Sequence, residues 1–117
     1  SGRLYLDGNV SVEENSQSIK DRKNLGSNGY LEITILITPK GNIHNNPIIN
    51  FRGLPIYETD EFIYLLEEEI EKTAKTFNMG NKSQRHNLID ALKIAARKFT
   101  KEKTGKRPFT NINLVDI

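Results

Sequence analysis

The stretch Tyr30-Leu31-Glu32-Ile33-Thr34-Ile35-Leu36-Ile37-Thr38 decides the fold class. Leu31, Ile33, Ile35 and Ile37 alternate with Glu32, Thr34, Leu36 and Thr38, a period of two that sets four large aliphatics on one face of a strand. β-Branched side chains dominate the stretch, and they suit a pleated surface better than a helix. A strand with one strongly apolar face needs a second layer to cover it. Asn28-Gly29 marks a turn into this strand and Pro39-Lys40-Gly41-Asn42 ends it. A second strand is expected within Ile48 to Tyr57, where Gly53 and Pro55 suggest a bulge or an edge position.

The covering layer comes next in the chain. Phe62, Leu66, Ile70, Ala74 and Phe77 recur at helical spacing, with Thr59 as the expected cap and Asp60 and Glu61 in the first turn. Asn78-Met79-Gly80-Asn81 breaks this helix. Ser83 is the expected cap of a second one, whose stripe is Leu88, Leu92, Ala95 and Phe99, and Gly105 and Pro108 stop it. Ile112, Leu114 and Ile117 suggest a last short strand, with Asn113 and Val115 opposite. The order after residue 29 is therefore β-β-α-α-β, an α+β fold in which a small three-stranded sheet packs on two helices. Upstream, Arg3 to Val12 reads as a hairpin about Asp7-Gly8, and Glu13 to Ser18 as a loop. Ser18 could cap a short helix over Ile19 to Leu25, stopped by Gly26.

A chain of 117 residues is ordinary for one domain and can bury a core without covalent staples. With no cysteine it has no disulfide, thiolate or cysteine-ligated zinc, which suits a cytoplasmic setting. No apolar run approaches the roughly 18 residues of a membrane span, so no membrane partner is expected. Ser1-Gly2-Arg3-Leu4 shows neither an initiator methionine nor a signal-peptide pattern, the expectation for a piece of a longer chain.

Chemistry is sparse. Histidine occurs twice, His44 in an expected turn and His86 in the first turn of the second helix, with no His-x-His or His-Glu-x-x-His spacing. Two surface histidines is the simpler reading, although either could complete a site built elsewhere. No serine sits in Gly-x-Ser-x-Gly, and no phosphate-binding glycine loop appears. Glu67, Glu68 and Glu69 could pose as a catalytic cluster, but three consecutive residues point in three directions round a helix. Neither catalytic nor metal-ligating residues are assigned, and enzyme activity within this chain is not expected.

The net charge of +2 decides nothing, but its distribution is informative. Residues 58–71 carry seven acids and no base, and residues 93–107 carry seven bases against Glu102 alone. Lys93, Arg97 and Lys101 are spaced four apart along one helical face, and Lys106-Arg107 follow at the helix exit. Bases crowd helix C-termini for dipole reasons alone. The functional readings are contact with RNA phosphates, or with the acidic first helix of a neighbouring subunit. Aromatic stacking residues on an exposed strand pair, as an RNA-recognition sheet would need, are not evident.

Four blocks in collinear order then resemble ribonuclease J. Residues Ile19-Lys20-Asp21-Arg22-Lys23-Asn24-Leu25-Gly26-Ser27-Asn28-Gly29, before the β-branched strand, are similar to the family's "DR..LS.DG" segment. Asp7-Gly8 upstream resembles the Val-Asp-Gly preceding it. Pro47-Ile48-Ile49-Asn50-Phe51-Arg52-Gly53-Leu54 is similar to "P.I.SRGF", with Phe51 in place of Ser and Leu54 in place of Phe. Thr104-Gly105-Lys106-Arg107-Pro108-Phe109, with the apolar tail to Ile117, resembles the closing "T.RRP" run.

The resemblance implies the C-terminal domain of a bacterial ribonuclease J, with residues 19–117 forming that domain and residues 1–18 a linker and edge remnant of the upstream nuclease core. It also implies a three-stranded sheet against two helices, and a non-catalytic accessory role in building homodimers or tetramers. The parent would be a metallo-β-lactamase-fold, β-CASP enzyme with 5′-to-3′ exonuclease and endonuclease activity on RNA. Its two divalent metal ions, in a zinc-type site, would be bound upstream, leaving no cofactor in this chain. The alternative is an RNA-binding module using Lys93, Arg97, Lys101, Lys106 and Arg107 to extend the substrate path.

Overall fold

The computed structural model describes residues 3–6, as backbone, and 28–117 with their side chains. Strand β1 is Arg3–Leu6, β2 is Tyr30–Ile37 and β3 is Ile48–Arg52. Helix α1 follows at Thr59–Ala74, then a 3₁₀ turn at Lys82–Gln84, helix α2 at Arg85–Thr104 and strand β4 at Phe109–Asp116. The alternation in β2 is complete: Leu31, Ile33, Ile35 and Ile37 have no exposed surface.

The strand order is β1-β4-β2-β3. β2 and β3 pair antiparallel through Tyr30↔Arg52 to Thr34↔Ile48, while β2 and β4 run parallel from Tyr30↔Phe109 to Ile37↔Asp116. Parallel neighbours cannot be joined by a tight turn. Residues 53–108 supply the crossover and carry both helices over one face of the sheet. Phe62, Leu66, Ile70 and Ala74 of α1, with Leu88, Ile89, Leu92, Ala96 and Phe99 of α2, close on the β2 aliphatics and on Ile112 and Leu114 of β4. Phe62 near the start of α1 meets Phe99 near the end of α2 at 5.4 Å, so the helices lie antiparallel.

The expected α+β fold, three strands on two helices in the order β-β-α-α-β, is present. Outside β4 it gains a fourth strand, β1, with Arg3 opposite Asp116 and Leu6 opposite Asn113. The rest of the expected hairpin, the loop to Ser18, the helix over Ile19 to Leu25 and the domain boundary at residue 18 lie outside the described residues. β3 stops at Arg52 and is an edge strand, as Gly53 and Pro55 suggested.

Several local expectations are corrected. Thr59 is the first residue of α1 rather than its cap, and Glu58 in the cap position makes no side-chain capping bond. Ser83 does not cap α2. A 3₁₀ turn precedes that helix, and Asn81 caps the turn by accepting from the Ser83 backbone N–H at 3.0 Å and from its hydroxyl at 2.7 Å. Starting at Arg85, α2 turns Ala96 into the core and leaves Ala95 half-buried. In β4 the period of two sets Thr110, Ile112 and Leu114 on the core face; Ile117 has the other parity, lies beyond the strand and is exposed. Gly105 ends α2 as anticipated, in the left-handed region at φ 80°, donating to the Lys101 carbonyl.

One buried cation ties these elements together. Arg85 is 4% exposed; its Nε and Nη2 donate to the Met79 carbonyl at 2.9 and 2.6 Å. Nη2 and Nη1 also reach the two carboxylate oxygens of Asp116 at 2.9 and 3.3 Å. The guanidinium thus joins the inter-helix loop, the start of α2 and the end of β4. Asp116→Ala leaves that charge buried without its counter-ion and is expected to cost about 2 kcal/mol in urea unfolding. An unchanged midpoint would show the carboxylate to be dispensable.

Candidate functional site

The basic segment does not form one continuous face. Arg97, Lys98, Lys101 and Arg107, with Ile94 and Glu102, line a shallow groove of about 330 Å³ on the outer side of α2. Arg107 joins from the loop before β4, which sequence spacing on the helix alone would not place there. Lys106 is half-buried and lies outside this lining, and Lys93 is half-buried and engaged in a contact of its own. Lys101 Nζ also donates to the Gly105 carbonyl at 3.1 Å, so part of its role is to close the helix end. Lys103 leaves the group, its ammonium 5.7 Å from the Phe99 ring centroid. Three of the five candidate residues, Arg97, Lys101 and Arg107, are therefore brought together.

Because the helices are antiparallel, Asp60 and Glu61 at the start of α1 lie toward the basic end of α2, and Glu67, Glu68, Glu69 and Glu71 lie further along, toward its first half. Glu61, Tyr64 and Glu68 are exposed on α1, and Ile94, Arg97, Lys98 and Lys101 on α2. Both stripes point away from the sheet, since Phe62, Leu66 and Ile70 and then Leu92, Ala96 and Phe99 take the inward positions. Glu68 is exposed while Glu67 and Glu69 are half-buried, so the three carboxylates diverge. Partial burial, reinforced by the Glu71 carboxylate one turn on, pushes the Glu67 carboxyl above its ordinary range.

His44 is exposed in the turn after β2, and His86 pairs at 3.4 Å with Asp90 on the surface of α2. Among the described residues, no three His, Asp or Glu side chains converge as a metal ion would require. The described part of the chain therefore does not fit the dinuclear site of the resembled nuclease.

The face of the sheet opposite α1 and α2 carries a cluster that the sequence did not announce. Tyr30 and Phe109, first residues of β2 and β4, stack with ring centroids 5.9 Å apart and planes 13° apart. Glu32 is next outward on β2, and its Oε2 accepts from Asn111 Nδ2 at 3.4 Å and Asn113 Nδ2 at 3.2 Å. Asn113 Nδ2 also reaches Thr34 Oγ1 at 3.2 Å. Both asparagines are 8% exposed, and with their NH₂ groups turned to Glu32 their buried Oδ1 atoms have no donor. Burial, then the nearby Glu32 charge, pushes the Tyr30 phenol up. Tyr30 and Phe109 are far apart in sequence, so only the in-register parallel pairing could have predicted their stack.

A mixed sheet with α1 and α2 on one face, a basic groove and an acceptor-bearing opposite face defines a small α+β module whose assets are surfaces. The chain matches the family model of the ribonuclease J C-terminal domain over residues 17–117, and it belongs to that family. No curated protein matches it.

Tyr30 offers a test of the sheet-face cluster. Its folded pKa lies above the unfolded value, so its contribution to stability is fully present below about pH 10 and is lost as pH rises through the folded value. Alkaline titration of tyrosine absorbance should show a late component that Tyr30→Phe removes. A titration unchanged by that substitution would contradict the burial and charge described here.

Proposed function

We propose that this domain is the accessory, non-catalytic assembly module of a ribonuclease J, and that it pairs two copies through the outer face of its helix layer. On this reading the parent is a cytoplasmic bacterial nuclease of the metallo-β-lactamase, β-CASP type, cutting RNA 5′-to-3′ and internally with two metal ions held upstream. Family membership supports the accessory role, and one observation supports the surface. Tyr64 is 60% exposed amid acids and Ile94 69% exposed amid bases, on adjacent antiparallel helices. A two-fold axis running along the helices lays α1 of each copy on α2 of the other, so both acid–base contacts are made at once. At 1.5 Å per residue the helices are about 24 and 30 Å long, enough for a modest, concentration-dependent interface.

Sedimentation velocity across a range of concentrations tests this reading. Self-association that weakens with salt, and falls at least about tenfold in Ile94→Asp, is expected. A monomer at all concentrations would sink it. The second reading, RNA contact through Arg97, Lys98, Lys101 and Arg107, draws on the grouping of those cations about one groove. It predicts salt-sensitive RNA binding weakened by Lys101→Glu or Arg107→Glu, with no change in sedimentation. The purified chain with added divalent metal is expected to hydrolyse no RNA, and turnover would overturn the accessory role.

A further inference from the structure

We propose that the sheet face opposite α1 and α2, between β2 and β3, binds one unpaired guanine base of a single-stranded RNA. A concavity of about 710 Å³ opens there, lined by Tyr30, Glu32, Asn50, Phe51, Arg52 and Gly53, within the size range of small-ligand sites. Register builds it: Tyr30 faces Arg52 across the strands and Glu32 faces Asn50. The Tyr30 ring is one wall, held upright by the stacked Phe109 ring behind it, and an aromatic wall accepts the flat face of any base.

The polar groups then choose among bases. Glu32 can only accept hydrogen bonds, and its two asparagine donors both use Oε2 of a carboxylate with about four acceptor positions. Such an acceptor selects a ligand edge rich in N–H donors. Guanine presents two adjacent donors, its ring N1–H and exocyclic amine, and so can meet the two open acceptor positions on Oε1. Adenine, cytosine and uracil each present a single donor group on that edge.

Arg52 is exposed at the rim and enters none of the ion pairs among the described residues. It complements the phosphate of the same nucleotide. A simple anion is disfavoured by Glu32, and a cationic peptide by Arg52. A base that is neutral and a backbone that is anionic satisfies both charges. Only the choice of RNA over DNA rests on the nuclease family. The site itself lies on the opposite side of the sheet from the helix layer and does not depend on self-association.

Fluorescence anisotropy with labelled oligouridine carrying one central guanosine, inosine or adenosine tests the proposal. The guanosine strand should bind about tenfold tighter than the other two, since inosine lacks the exocyclic amine. Glu32→Gln keeps an oxygen for the asparagine donors but replaces half of the carboxylate with a donor, and should abolish that preference. Arg52→Ala, at an exposed position, should weaken all three strands alike and lessen the salt dependence. Ile94→Asp should leave binding intact, which separates this site from the helix-layer reading. Equal affinity for the three strands, no binding at low salt, or a guanosine preference that survives in a folded Glu32→Gln variant would overturn it.

Discussion

The parallel pairing of β2 with β4 is the constraint from which the rest of the molecule follows. These strands share a register along their whole length, from Tyr30↔Phe109 to Ile37↔Asp116, yet both helices separate them in the chain. Closing so long a loop costs entropy before any contact rewards it. The burial of α1 and α2 against Leu31, Ile33, Ile35, Ile37, Ile112 and Leu114 offsets that cost. Docking of β4 and packing of the helices are therefore one cooperative event. The same register sets Phe109 beside Tyr30 and sets Asn111 and Asn113 around Glu32, so the candidate site on the far face is a by-product of the pairing that makes the core.

Arg85 shows how tightly the crossover must be held. A cation in the first turn of a helix opposes the macrodipole, and a buried one carries a desolvation cost as well. Its position makes sense only through its partners. The Met79 carbonyl belongs to the loop that reverses the chain between the helices, and Asp116 ends the strand that completes the sheet. Asp116 has the parity of Ile112 and Leu114, so it points to the helix layer, where a carboxylate near the start of α2 also suits the dipole. One guanidinium thereby fixes where α2 begins relative to where β4 stops.

Features governed by near neighbours were legible in the sequence. The β2 alternation, the α1 stripe from Phe62 to Ala74 and the Gly105 stop each depend on residues within a turn or two, and each is where the pattern placed it, although α1 ends before the expected Phe77. Caps were less legible because several residues compete for one role. Ser83 resembles a cap, but Asn81 two residues earlier captures both its N–H and its hydroxyl, and a 3₁₀ turn results. The candidate surfaces were the least legible, since they join residues that no local window contains. Arg107 enters the groove of α2 from beyond the helix, and Tyr30 meets Phe109 only because β4 returns parallel. The pairing of β1 with β4 is invisible for the same reason.

The two faces of the sheet are under different physical rules, which is why they suit different partners. On the helix side the charges are exposed and screened, and their segregation partly reflects what helix ends prefer. Charge there can steer and orient a partner, while the affinity must come from the few apolar side chains among them, Tyr64 and Ile94. On the strand side the polar groups are few, largely buried and fixed by cross-strand bonds, so each unmet acceptor costs more and discriminates more. Two asparagines that turn their donors to one glutamate leave their own carbonyls orphaned, a state that a packed core would exclude. On the strand face the remaining acceptor positions of Glu32 thus favour a ligand that brings donors, where the helix face offers mainly charge.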